Sequence, residues 1–298
     1  MNNFALRILS FLMLVSFSII TQAQNYDSVK INVTRVAGSV YMLQGSGGNI
    51  GALIGNDGII LVDDQFAQLS GKIKAALATI TDKPIKFIIN THFHFDHTDG
   101  NKTLGGEGAI IVAHENTRKR LTIDNLVPIF KVDMKAYSYD ALPKITFAQS
   151  VTFNMNGETV EVYHVKNAHT DGDAMIYFKE SNVVHTGDVF VRYGLPFIDE
   201  TSGGNVDGMI DAISNLLKNV NEETKIIPGH GAISYKKDLQ DYKDMLQTVR
   251  DRVAEGIKVG KTIDQIIDSN PAKEFTGVFD KIEFVRIVYN SIKKQIVP

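Results

Sequence analysis

The stretch THFHFDHTDGN, residues 91–101, holds three of the eight histidines of a 298-residue chain, together with two aspartates. It directly follows the apolar run PIKFIIN, which is typical of a short buried strand. Alternate side chains of an extended strand end point the same way, so His92, His94 and Asp96 can converge while His97 faces a neighbouring position. Imidazole and carboxylate groups are ligands for zinc and related ions. The stretch therefore predicts a metal site at the end of a buried strand.

Three later segments offer further ligands, each at the end of a predicted strand or beside glycines that allow close approach of the backbone. His169 lies in NAHTDGD, Asp188 in VVHTGDVF and His230 in IIPGHGAI. With the cluster they complete two ligand sets, namely His92, His94 and His169 for one ion, and Asp96, His97, Asp188 and His230 for a second. The remaining histidines on or beside strands, His114, His164 and His185, are expected not to be ligands.

The N-terminal residues 1–23 have one arginine, an apolar run and small residues ending at Ala23, which predicts a cleaved secretory signal peptide. The run is short for a membrane-spanning helix, so a retained anchor is the less favoured alternative. We expect a periplasmic or secreted protein without stable membrane insertion after cleavage. The absence of cysteine excludes disulfides, thiolate ligands and a cysteine nucleophile. With 31 basic and 34 acidic residues, the chain lacks the positive charge that nucleic-acid binding needs.

The chain between the two ends reads as two strand-rich halves with helices outside. In the first half GNDG separates two apolar runs, and in the second Asn156-Gly157 does the same, so both predict hairpins. Apolar stripes predict a helix in NVDGMIDAISNLLKNV and further helices from Lys236 onward. We expect a catalytic domain over 24–235 and a C-terminal helical extension over 236–298 that packs on it.

HFHFDH, AHTDGD, HTGDVF and PGHG, in this order, resemble the metallo-β-lactamase superfamily over about residues 33–233. The resemblance implies an α/β fold, an αββα sandwich of two mixed β-sheets with outer helices and the metals at one edge between the sheets. It implies two Zn²⁺ ions per chain, with iron or manganese as other occupants. It also implies that Asp63, at the end of IILVD, holds a ligand histidine through its other ring nitrogen.

Two bound dications would lower the pKa of water to about 7 and polarise a carbonyl, so we expect an enzyme that performs metal-assisted hydrolysis with a metal-bridging hydroxide. Asp96 would orient this nucleophile, and the small-molecule substrate would be anionic. Export favours a β-lactam-like cyclic amide, and hence a role in antibiotic resistance. GGNVDG also resembles the asparagine loop of class B β-lactamases, in which Asn205 would face the lactam carbonyl. A helix N-cap at Asn205 is an equally good interpretation.

Other features point away from a lactam. Arg192 lies near the cation that class B enzymes offer to the substrate carboxylate, but a surface arginine is the favoured interpretation. The commonest class B enzymes use a cysteine at the second metal, whereas Asp188 resembles the bridging aspartate of glyoxalase-II-like thioesterases and of lactonases. Lactone or thioester hydrolysis is therefore the alternative. A di-iron redox protein is less favoured, because that branch has a glutamate where His94 stands, and so is a catalytically idle metal-binding module.

Overall fold

The computed structural model describes residues 26–127 and 130–296, so the predicted signal peptide lies outside the described residues. In chain order the strands are β1 (Asn32–Ala37), β2 (Val40–Gln44), β3 (Ile50–Gly55), β4 (Gly58–Val62), β5 (Ile85–Ile89), β6 (Ile110–His114), β7 (Asn125–Val127), β8 (Val132–Met134), β9 (Ile145–Phe147), β10 (Ser150–Met155), β11 (Glu158–His164), β12 (Ala174–Phe178), β13 (Val183–His185) and β14 (Lys225–Ile227). The helices are α1 (Ser70–Ala78), α2 (Phe95–Thr98), α3 (Asn101–Gly106), α4 (Glu115–Leu121), α5 (Val206–Asn219), α6 (Lys236–Lys258), α7 (Ile263–Asp268) and α8 (Lys281–Ile296).

Within these residues the strands form two large mixed sheets and one small hairpin. The first sheet has the order β1-β2-β3-β4-β5-β6-β9 and the second the order β10-β11-β12-β13-β14, while β7 pairs with β8. Both predicted hairpins are present, since β3 pairs with β4 and β10 with β11. Asn156 and Gly157 adopt φ of 57° and 77°, the left-handed backbone that a tight hairpin turn requires.

Apolar side chains divide the molecule into four layers. One buried cluster joins the facing sides of the two sheets through residues such as Leu53, Val62 and Ile176. A second packs α1 on the outer side of the first sheet, and a third packs α5, α6 and α8 on the outer side of the second. The predicted αββα sandwich with outer helices is therefore confirmed. Among the described residues no helix is long and apolar enough to cross a membrane.

Strand direction explains why the candidate ligands meet at one edge. β4, β5 and β6 are parallel, so the residues after β4 and after β5 leave the first sheet on the same side. β13 and β14 are parallel and β12 runs opposite to them, which brings the amino end of β12 beside the carboxyl ends of its neighbours. A hydrogen bond from the Ala174 N–H to the Thr91 carbonyl, 2.8 Å long, joins the two sheets at this edge.

The backbone of the opening stretch differs from the predicted extended strand end. β5 ends at Ile89, and the chain then turns into α2, which begins at Phe95 and carries Asp96 and His97. His94 is the extended residue before this helix, and its carbonyl accepts a hydrogen bond from the His97 N–H. The turn points Asp96 away from the set of His92 and His94 and into the second ligand set.

Candidate metal centre

His92, His94 and His169 form the first ligand group. His92 Nε2 lies 3.1 Å and His169 Nε2 lies 2.9 Å from His94 Nδ1. All three rings are buried, none more than 4% exposed. Two ring nitrogens that face each other at this distance cannot both carry a proton. The three nitrogens that point at one position can therefore offer lone pairs to a divalent ion.

Asp96, His97 and His230 form the second group, and Asp188 lies between the two groups. Asp96 Oδ2 is 3.2 Å from His230 Nε2, and the Nε2 atoms of His97 and His230 are 3.3 Å apart. Asp188 Oδ1 is 3.2 Å from His97 Nε2, while its Oδ2 is 3.4 Å from His230 Nε2 and 3.8 Å from His169 Nε2. The Asp188 carboxylate is therefore within reach of both ligand groups and would help to hold an ion in either.

The surroundings of Asp188 fit bound cations. Its Oδ1 is buried and makes no well-aligned hydrogen bond among the described residues, with the ring of His97 3.2 Å away as its near neighbour, and such a carboxylate is costly unless positive charge compensates. A side chain on Gly229 would overlap this oxygen, and a side chain on Gly48 would overlap the His97 ring. The two glycines keep this space clear for ligands, so the donor set and its surroundings fit a pair of divalent ions.

Burial controls the charge of the first group. It lowers the pKa of His92 well below the usual range, and neighbouring histidines lower it further. At His169 burial and the nearby His94 lower the pKa to about 4. Both imidazoles are therefore neutral at pH 7, which is the form that binds metal.

Carboxylates control the charge of the second group. Burial lowers the pKa of His97, but Asp188, Asp96 and Asp63 outweigh it and hold the pKa well above the usual range. At His230 burial also lowers the pKa, but the nearby carboxylates, chiefly Asp188, outweigh it and raise the pKa to about 10. The metal-free protein therefore holds protons in the second group that a metal ion must displace.

Hydrogen bonds from buried partners fix the orientation of the ligand rings. Asp63 Oδ2 accepts from His97 Nδ1 at 2.8 Å, as expected for this aspartate, and the Asp63 carboxylate also accepts from the N–H and the hydroxyl of Thr91. The Thr91 hydroxyl is in turn 3.0 Å from His92 Nδ1. These contacts direct Nε2 of both histidines at the metal positions.

Two further partners were not predicted from the sequence. Asp199 Oδ2 lies 3.1 Å from His94 Nε2, while the other carboxylate oxygen, Oδ1, accepts hydrogen bonds from the N–H groups of Thr201 and Ser202. The Phe197 carbonyl accepts from His169 Nδ1 at 3.0 Å. Asp199 is a single aspartate in an irregular segment with no motif around it, and a backbone carbonyl leaves no trace in the sequence, so neither had a readable signal.

The two residues proposed for lactam recognition have other partners in the structure, and the catalytic role of Asn205 stays a prediction. Asn205 Oδ1 accepts hydrogen bonds from Asp207 N and Gly208 N at the start of α5, so this side chain is the helix N-cap. It lines a cavity with His164, and not the cavity beside the metal ligands. Arg192 Nη1 pairs with Asp238 Oδ1 at 2.9 Å.

The three histidines expected to be non-ligands lie outside both groups. The rings of His114 and His164 stack with their centroids 3.7 Å apart. His185 Nε2 lies 3.0 Å from the Asn49 carbonyl between the two sheets. Among the described residues, none of the three belongs to a set of side chains whose donor atoms converge as a metal site requires.

A cavity of about 270 Å³ opens beside the ligands. Four candidate ligands line it, namely His94, Asp96, Asp188 and His230. The other described residues that line it are apolar or aromatic, namely Phe95, Phe130, Tyr193, Phe197, Val278 and Phe279. No lysine or arginine is among the described residues that line it. The arrangement can hold two cations and a reacting group beside an apolar wall.

Comparison with known proteins gives one family and several activities. The family profile described as metallo-beta-lactamase superfamily matches residues 34–231. A hydroxyacylglutathione hydrolase from Pelagibacter ubique is 24% identical over 209 residues, which span 66% of this chain and 77% of the relative. A linear primary-alkylsulfatase from Pseudomonas sp. is 24% identical over 252 residues, 71% of this chain, but the chain spans only 48% of that relative.

A solved structure adds to the comparison of folds. A metallo-beta-lactamase from Pontibacter korlensis superposes with a TM-score of 0.59 at 19% sequence identity, and the match covers 73% of this chain and 99% of that protein. Because the identity is low, this likeness concerns the fold alone. It agrees with the two sheets and outer helices described above.

Proposed function

The chain belongs to the metallo-beta-lactamase superfamily and is a hydrolase, and from that premise we propose that it hydrolyses carboxylic esters, lactones or thioesters with a pair of divalent metal ions. The observation that carries the proposal is Asp188, a carboxylate within reach of both ligand groups where the commonest class B enzymes have a cysteine. The curated relative with the name hydroxyacylglutathione hydrolase supports the same class of bond.

The seven candidate ligands and their partners would bind and orient the ions. Bound zinc would polarise the substrate carbonyl and lower the pKa of water to about 7. The carboxylate of Asp96 borders the cavity, so it can hold a proton from the attacking water. Asp63, Thr91, Asp199 and the Phe197 carbonyl would keep the ligand rings in place during the reaction.

Two other substrates are less well supported. A β-lactam carries a carboxylate, and Asn205 and Arg192, which the sequence offered for its recognition, are engaged as a helix cap and in an ion pair. A sulfate ester is suggested by the name of the alkylsulfatase relative. Its permanent negative charge would find no lysine or arginine among the described residues that line the cavity.

A substrate panel on purified protein tests the proposal. We expect turnover of γ-nonalactone, methyl phenylacetate or a lactoyl thioester that is lost after chelation and restored by two equivalents of zinc. Turnover of a chromogenic cephalosporin or of hexyl sulfate in preference to all three would overturn it. Measuring zinc content beside activity separates an inactive apoprotein from an unsuitable substrate.

We also propose that the protein is exported, on the basis of residues 1–23 alone. Cell fractionation of the full-length chain is expected to place a shortened protein outside the inner membrane. Deleting residues 2–22 should leave it in the cytoplasm. An uncleaved protein in the membrane fraction would contradict the predicted signal peptide.

A further inference from the structure

We infer that Val278 and Phe279, in the segment 275–280 of the C-terminal extension, form a specificity wall over the metal centre, which selects substrates whose non-reacting part is a neutral apolar group. The inference rests on the proposed function, because it concerns the same site. The segment lies between α7 and α8 and is far in sequence from every candidate ligand. Val278 and Phe279 nevertheless line the same cavity as His94 and Asp188.

Main-chain contacts hold this segment beside the metal centre. Gly277 forms an antiparallel bridge with Gly194, and the Val278 N–H donates to the Tyr193 carbonyl at 3.0 Å. Gly194 has φ of 92°, and a side chain there would overlap the Thr276 carbonyl. A glycine at position 194 is thus needed for this close approach of the two backbones. The position of Phe279 follows from backbone pairing, and not only from side-chain packing.

An aromatic cluster connects the segment to the ligands. The ring of Phe197 lies 5.7 Å from that of Phe279 and 5.0 Å from that of Phe130. On its other side the Phe197 ring lies 5.8 Å from His94 and 5.8 Å from His169. A substrate group next to the first ligand group must therefore contact aromatic surface, which favours an apolar substituent.

The charge and size of the cavity limit which substituents can bind in it. A cavity of about 270 Å³ has room for a phenyl ring, since an apolar cavity of about 150 Å³ can hold benzene. Arg192, the cation next to Tyr193 in sequence, is paired with Asp238. Val278 is 86% exposed and Phe130 50% exposed at the edge of the cavity, so a longer apolar group would continue along them.

Two substrates of different size and two substitutions test the wall. On the zinc-loaded protein we expect kcat/KM for methyl phenylacetate to exceed that for methyl acetate by about 100-fold, and Phe279→Ala to reduce this ratio about tenfold. The kcat/KM for methyl acetate should be the same in Phe279→Ala as in the unsubstituted protein. Phe275→Ala is the matched control, because Phe275 belongs to the same segment and, like Phe279, packs against the helical core, but does not line the cavity.

Binding to metal-depleted protein gives a second readout that needs no turnover. We expect ligand-observed NMR to detect phenylacetamide but not acetamide, with weaker binding in Phe279→Ala and unchanged binding in Phe275→Ala. Binding discrimination without hydrolysis of any ester would support the wall and refute the proposed function. Ester hydrolysis without preference for the phenyl group, or equal effects of the two substitutions, would refute the wall.

Discussion

Replacing Asp63 by asparagine should weaken the binding of one metal ion more than that of the other. Asp63 is fully buried and accepts three hydrogen bonds, from His97 Nδ1 at 2.8 Å and from the N–H and hydroxyl of Thr91 at 2.7 and 2.8 Å. Its φ is 63°, a left-handed conformation that asparagine tolerates well. The substitution therefore changes the charge and one acceptor while the backbone keeps its shape.

The size of the effect follows from the contacts. If the amide oxygen keeps the bond from the Thr91 N–H, the amide nitrogen faces His97 Nδ1 and forces the ring proton onto Nε2, the atom that faces the metal. The Thr91 hydroxyl, which also donates to the replaced oxygen, can turn to accept from the amide nitrogen, so the net loss is the hydrogen bond from His97 to a charged group, about 1.5–3 kcal/mol. At about 1.4 kcal/mol per factor of ten, this corresponds to roughly 10- to 100-fold in affinity, the usual range for partners of metal ligands.

A competition titration with a coloured chelator can resolve the two zinc equivalents. In Asp63→Asn we expect the larger loss of affinity in the equivalent held by the second group, and a smaller loss in the first, because Thr91 connects Asp63 to His92. Asp199→Asn is the mirror control, because Asp199 contacts His94 of the first group. This substitution should weaken the binding of the zinc equivalent held by the first group by a similar factor.

The outcome that refutes the reasoning is equally specific. If Asp63→Asn weakens both equivalents alike, or if both variants weaken the same one, the two groups do not bind separate ions in the way that the hydrogen bonds indicate. Circular dichroism of the metal-free variants would first establish that both fold, so that lost affinity is not a folding defect.

The remaining predictions concern protons, the bridging carboxylate and the helix cap. Because carboxylates raise the pKa of His97, and that of His230 to about 10, zinc must displace protons from the second group. The affinity of the second group for zinc should fall as the pH falls from 8 to 6, and zinc binding should release protons in weak buffer. An affinity that does not change with pH would contradict this. Asp188→Ala should lose mainly one metal equivalent and most activity, and a variant with two ions and full rate would exclude Asp188 as a ligand. Asn205→Ala should lower the free energy of unfolding by about 1 kcal/mol without changing kcat/KM, and Asn205→Asp should restore stability; a large loss of kcat/KM would return Asn205 to the substrate.

The ligand groups could be predicted from the sequence because their signal is local. His92, His94, Asp96 and His97 lie within six residues, and the other ligands follow predicted strands. Parallel strands bring such positions to one edge, so strand order was enough to predict that the candidate ligands meet there. The error in this stretch was also local: α2 starts one residue after His94, and apolar periodicity does not reveal a helix of four residues.

The partners and the cavity wall could not be predicted for a different reason. Asp199 reaches His94 across 105 residues of sequence, and Val278 meets Tyr193 across a gap nearly as long. Such distances depend on how separate segments fold together, as in the pairing of Gly277 with Gly194 and the hydrogen bonds that Asp199 accepts from Thr201 and Ser202. The partners of Asn205 and Arg192 could not be decided from the class B resemblance, because a loop can keep its sequence pattern while its side chains take other partners, here the start of α5 and Asp238.

Phe197 and Phe279 differ in a way that decides where specificity can change. The Phe197 ring lines the cavity, but its carbonyl also orients His169, and it lies two residues before Asp199, the partner of His94. A substitution there would disturb the first metal group together with the cavity. Phe279 contacts the Phe197 ring from a separate segment, which pairs with Gly194. Among the described residues, Phe279 makes no hydrogen bond to a candidate ligand. The C-terminal segment can therefore change the substrate while the metal centre keeps its geometry, and this separation makes Phe279→Ala the informative substitution.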